Sequence, residues 1–133
     1  MVIGNHTLLF YEGADGSFDD LRHNVLLLAD MPSHSWAGVR AATASRSAVS
    51  IVTKPVTVKR SQLGVTADLG ESGWLQAQLI GHGPTCIMLR GGGSRVSAVV
   101  RWPAGGGLVG LNGSEVALNF TIGGGATLFA FEV

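Results

Sequence analysis

Apolar and polar positions alternate along most of this chain with a period of two. Leu63, Val65, Ala67 and Leu69 share one face of their stretch. Leu75, Ala77 and Leu79 alternate with Gln76 and Gln78 in a segment opened by Trp74, and Val116, Leu118, Phe120 and Ile122 repeat the pattern near the C-terminus. Residues 96–102 and 126–133 alternate too. A two-residue period turns one face of an extended strand to a core and the other to water, so each stretch is predicted to be a strand. Further strands are predicted at Thr7–Tyr11, at the continuous apolar run Val25–Ala29 and at Trp36–Arg40. Ser50–Lys54 and Val56–Lys59 are two more, flanking Pro55, which marks an edge or a bend. The best helical stretch, Ala41–Ser47, is too short and too rich in Ser and Thr to hold a helix, and reads as a loop.

Glycine punctuates the strands. Three triplets, Gly91–Gly93, Gly105–Gly107 and Gly123–Gly125, each lie between segments of strand character. Glycine tolerates positive φ, so the triplets are expected to make tight reversals between antiparallel strands. Strands spaced by about 8–12 residues with such signals predict a sandwich or barrel. The expected fold is all-β, an antiparallel β-sandwich of two sheets in the jelly-roll or concanavalin-like manner, forming one domain over residues 1–133.

Composition adds a hint about surroundings. Apolar residues make up 46% and charged residues 14%, against about 25% charged in an average soluble domain. Such a chain has ample core material and little solvated surface, which favours a domain resting on a partner domain or a second copy. Nine basic and nine acidic side chains cancel, leaving no basic stripe for nucleic acid. No apolar run approaches the ~18 residues of a membrane span. The stretch Met1–His6 lacks the basic and apolar regions of a secretory leader, so none is expected there. The single cysteine, Cys86, excludes an intrachain disulfide and reads as a small buried hydrophobe in an apolar run.

Little points to chemistry. The carboxylates (Glu12, Asp15, Asp19, Asp20, Asp30, Asp68, Glu71, Glu115 and Glu132) fall mostly in loops or at strand ends, as solvated turn residues do. Asp15–Asp20 faintly suggests a calcium loop but lacks the spacing and distal Glu of an EF-hand. His6, His23, His34 and His82 show no ligand spacing, and there is no Gly-x-Ser-x-Gly elbow. Leu89–Arg95 lacks the lysine and following helix of a phosphate loop and reads as a hairpin loop. No catalytic residue, metal or cofactor is expected. Aromatics remain as sugar platforms, since a sugar's C–H face packs on a flat indole while polar neighbours take its hydroxyls. The candidates are Trp74, placed at a rim by Glu71-Ser72-Gly73 before it, Trp36 with nearby His34, and Trp102 before a glycine-rich loop. For each of them, packing is the ordinary alternative.

From Leu8 onward the chain resembles, piece by piece, the C-terminal part of proteins related to glycoside hydrolase family 32. Leu9-Phe10-Tyr11-Glu12-Gly13-Ala14-Asp15-Gly16 is similar to the family's aromatic-Tyr-x-Gly-x-Asp-Gly stretch in the last propeller blade. Arg22 and Val25–Asp30 resemble the strand closing that blade, and Ser35–Val39 the lead into a sandwich. Ser50–Val56 resembles a Thr-Lys-Pro strand, Leu63–Asp68 a Leu-x-Val-Asn-Ala segment, and Gly73–Leu79 the strand after it. Arg101-Trp102 resembles a terminal Arg-Trp, and Ala126–Phe131 the closing Leu-Tyr-Ser-Phe. Ser17-Phe18 stand where the family commonly has Pro-His. The resemblance implies a sandwich that follows a catalytic five-bladed propeller, with the first ~35 residues (1–35) either a remnant of the last blade or reused as an extra sandwich strand. The family's catalytic carboxylates lie in earlier blades, which this chain does not contain. The implied role is a non-catalytic accessory module of a carbohydrate-active protein, packing on a propeller or binding glycan. The rival role is a structural or self-associating module without ligand.

Overall fold

The computed structural model describes residues 1–14, 24–33, 37–40, 48–82, 86–91, 96–100, 102 and 106–133, with backbone alone at 11–14, 24–25, 86–87 and 96. Two compact units result, Met1–Trp36 and Ala37–Val133.

The first unit is an antiparallel meander of β1 (Val2–Ile3), β2 (His6–Ala14) and β3 (Asn24–Pro32), in that order. β2 and β3 pair over their full lengths, with Phe10 opposite Leu28 and Leu8 opposite Asp30. The apolar run read as Val25–Ala29 thus extends to Pro32, because β2 offers a partner at every position. His6 Nδ1 lies 2.9 Å from Asp30 Oδ1, with both side chains 57% exposed.

The second unit holds β4 (Val39–Arg40), β5 (Val49–Val52), β6 (Val56–Thr57), β7 (Leu63–Asp68) and β8 (Trp74–Leu79). β9 (Cys86–Arg90), β10 (Val96–Val100), β11 (Glu115–Val116), β12 (Leu118–Gly123) and β13 (Thr127–Glu132) follow. One sheet has the order β10-β7-β13-β4 and the other β5-β12-β8-β9, all pairs antiparallel, while β6 and β11 form a small ladder of their own. If that ladder is set aside, the remaining strands can be counted from first to eighth. One sheet then runs first-eighth-third-sixth and the other second-seventh-fourth-fifth. This is the strand order of a jelly roll. The chain is all-β, without a helix among the described residues. Among the described residues no helix is long and apolar enough to cross a membrane.

The core lies between the two four-stranded sheets. Leu63, Val65, Ala67 and Leu69 of the β7 segment are buried, as are Leu75, Ala77 and Leu79 of β8. Val116, Leu118, Phe120 and Ile122 join them from β11 and β12. These are the inward positions that the alternation predicts. Phe120 of β12 and Phe131 of β13 meet across the sandwich, with ring centroids 5.1 Å apart. In β13 the register against β7 shifts between Leu128 and Ala130, so the strict alternation expected over 126–133 does not hold. The bulge lets both Leu128 and Phe131 reach the core.

The glycine triplets are not hairpins. β9 and β10, β10 and β11, and β12 and β13 each lie in different sheets, so the triplets sit where the chain crosses between sheets. At the last crossing Gly124 and Gly125 have φ of 62° and 83°, and Ala126 N donates to Gly123 O at 3.2 Å. Leu89–Arg95 therefore begins as the end of a strand and leads to the opposite sheet, rather than forming a hairpin loop, with Gly92–Arg95 outside the described residues. The loop read at Ala41–Ser47 and the faint calcium stretch Asp15–Asp20 also lie outside them, as does the side chain of Cys86.

Candidate functional site

Strand alternation buries Leu75, Ala77 and Leu79, and it necessarily turns Trp74, Gln76 and Gln78 to the outer face of β8. Their neighbours on that face follow from register. Gln76 stands between Thr121 and Met88, and Trp74 between Gly123 and Arg90. Ser50 and Thr121 extend the polar row, with hydroxyls 3.1 Å apart. The outer face of this sheet is thus hydroxyl- and amide-rich, with one indole at its end.

The indole lies over Gly123. A Cβ built at that glycine would be 2.6 Å from Trp74 Cε2 and 2.7 Å from both Cζ2 and Nε1, so only glycine leaves the ring its place. Trp74 also lines a groove of about 430 Å³ at the β8–β9 end of the sheet. Its lining includes Trp74, Met88, Arg90 and the turn residues Glu71 and Ser72. This volume falls in the range of small-molecule sites, about 300–1,000 Å³.

Backbone packing shapes the groove wall. Gly73 N donates to Leu69 O at 2.9 Å, which closes the turn, and Gly91 N donates to Gly73 O at 2.8 Å. Gly70 N donates to Asp68 Oδ1 at 2.9 Å. A Cβ at Gly91 would be 2.5 Å from Gly70 O, so the end of β9 presses directly on the turn that carries Glu71. Arg90 Nε donates to Met88 Sδ at 3.2 Å, along the same face of β9.

The sequence candidates separate. Trp74 sits in the groove, beside the turn that precedes it. Trp102 lines a different cavity of about 320 Å³ with Ser61, Gln62, Val100, Gly106 and Val109. Its indole is pressed against Gly107, and its buried Nε1 has no hydrogen-bond partner among the described residues. Trp36 and His34 lie outside the described residues. Sequence reasoning missed Arg90, Met88 and Gly123. The signal that would have found the first two is a strand at 86–90 paired with 74–78, which sets Arg90 opposite Trp74. Gly123 was legible only as a turn residue.

Among the described residues no three His, Cys, Asp or Glu side chains come together in a way that could hold a metal. Comparison with protein-family models, curated proteins and solved structures finds no match to this chain.

Proposed function

We propose that this chain is a non-catalytic sandwich module of a carbohydrate-active protein, and that it holds a saccharide in the groove beside Trp74. The observation that carries this reading is the pairing of an indole and a guanidinium, Trp74 and Arg90, at directly opposed positions over one groove. An apolar ring face takes the C–H side of a pyranose, and the guanidinium, the Glu71 carboxylate and the Ser72 hydroxyl accept or donate to its oxygens. The polar outer rows of the same sheet suit the continuation of a glycan chain. The test is a glycan array probed with the full chain and with Trp74→Ala. Binding to a sugar class that the substitution abolishes supports the reading, and an array silent to both proteins overturns it.

A second observation favours packing. On the face of the first unit that carries Leu8, the side chains of Phe10, Leu26 and Leu28 are 52%, 73% and 55% exposed. Apolar surface of this kind marks an interface, and the family resemblance makes a propeller its counterpart. Sedimentation velocity across concentration separates this from self-association. A monomer throughout, with glycan binding intact, leaves a propeller partner as the cover, whereas a concentration-dependent dimer supports the self-associating module.

A further inference from the structure

We infer that the Trp74 groove selects a saccharide bearing a carboxylate, a hexuronate residue, over its neutral counterpart. The inference rests on the saccharide reading above and names the class of sugar.

The described arginines are committed differently. Arg60 is paired with Glu132, and Arg40 Nε donates to Gly125 O at 3.2 Å. Arg90 differs. Its hydrogen bond goes from Nε to the Met88 thioether, a weak acceptor that carries no charge. The bond orients the guanidinium along β9 without neutralising it, and among the described residues no carboxylate lies within ion-pair distance of it. Arg90 lines the groove, and among the described residues its side chain has no partner beyond Met88, so it carries a planar fork of two terminal nitrogens with no anion described beside it.

A fork of this kind matches a carboxylate bidentately, with two parallel charge-assisted hydrogen bonds. The hydroxymethyl group of a neutral hexose offers a single oxygen in its place. The neighbouring indole fixes where the ring must lie. Trp74 and Arg90 are direct cross-strand partners, so their Cβ atoms stand about 4.5–5.5 Å apart. A pyranose stacked on the indole therefore projects its C5 substituent within reach of the long arginine side chain. Glu71, in the facing turn, disfavours a second negative charge at its end of the groove but accepts hydrogen bonds from hydroxyls there. The preferred ligand thus carries its carboxylate on the Arg90 side and hydroxyls on the Glu71 side.

The experiment is isothermal titration of the full chain with short oligouronides of the galacturonate, glucuronate and mannuronate series. Each is compared with the same oligosaccharide after reduction of its carboxyl groups to primary alcohols. One acidic series is expected to bind roughly ten- to a hundredfold tighter than its reduced form, the worth of a charge-assisted hydrogen-bond pair. That preference is expected to shrink with added salt and to vanish in Arg90→Gln, while Trp74→Ala loses both ligands. Equal affinity for acidic and reduced forms overturns the inference and leaves the saccharide reading standing. Tighter binding of a sulfated neutral galactan than of any uronide overturns the carboxylate assignment alone. Failure of every acidic, reduced and neutral glycan to bind overturns the inference and the saccharide reading together.

Discussion

The indole of Trp74 occupies the space that a side chain at position 123 would need, 2.6 Å from Cε2 to the nearest point of an added Cβ. Gly123 and Trp74 are cross-strand partners, so the glycine is filled from the neighbouring strand and the ring is held to one side. Covering a strand glycine with an aromatic neighbour also protects its backbone from water.

The expected consequence is that Gly123→Ala pushes the indole off β12 and toward β9. The change removes no groove side chain, yet it is predicted to weaken ligand binding and to cost about 1–3 kcal/mol of stability, as overpacking does. Labelling with 5-fluorotryptophan, with the position-74 resonance identified by its loss in Trp74→Phe, reads the displacement directly. An unshifted resonance together with an unchanged melt would show that the ring is not seated on Gly123.

Truncation of Phe120 should be far more costly than truncation of Phe131. Phe120 is fully buried at 0% exposure, whereas Phe131 is only partly buried at the margin of the core. Phe120→Ala is expected to lose about 3–5 kcal/mol, measured by urea unfolding. Because the rings touch, the double mutant should fall short of the sum by about 0.5–1.5 kcal/mol. Equal costs for the two single mutants would contradict the burial asymmetry.

The difference in legibility between fold and site follows from how far each signal travels along the chain. The inward set of β7, β8 and β12 is written locally, because alternation and burial are the same pattern seen twice. Strand β13 broke the rule at Leu128–Ala130, since a bulge changes register without changing composition. The glycine triplets looked like hairpins because a glycine-rich stretch that reverses within a sheet and one that crosses between sheets need the same backbone freedom. Trp74 was legible as a rim residue from the turn before it. Arg90 was not, because its role depends on which strand lies beside β8, and pairing is a long-range property. Gly123 is meaningful only once Trp74 is known to lie on it.

Two glycines of the β7–β8 region should respond oppositely to alanine. At Gly73 the new Cβ would be 2.1 Å from Leu69 O, a backbone atom fixed by the turn hydrogen bond, and 3.0 Å from the Ala126 Cβ. At Gly64 the nearest atom is Glu132 Cβ at 3.7 Å, an ordinary contact. Gly73→Ala is expected to destabilise by about 1–3 kcal/mol through forced backbone movement and to deform the groove wall. Gly64→Ala is expected to be neutral or to stabilise by about 0.4–1 kcal/mol through the unfolded chain's lost freedom. Thermal melts of both variants decide it, and a Gly73→Ala protein as stable as the parent would refute the close turn packing.

The sandwich should fold without the first unit. Every buried hydrophobic residue described, from Val58 to Leu128, lies in Ala37–Val133, and so do the partly buried residues packed against them. Among the described residues, no strand of Met1–Trp36 pairs with a strand of the jelly roll. A meander of this size falls below the ~40 residues at which small domains usually need extra staples, so it is not expected to hold the larger unit together. A chain of residues 37–133 is predicted to unfold in one cooperative transition, within a few degrees of the full chain, and to keep the Trp74 groove. Circular dichroism melts and the glycan titration on the shortened chain measure both. If that chain lost its cooperative transition, the sandwich would depend on the first unit for its fold, and the division into two compact units would carry no thermodynamic meaning.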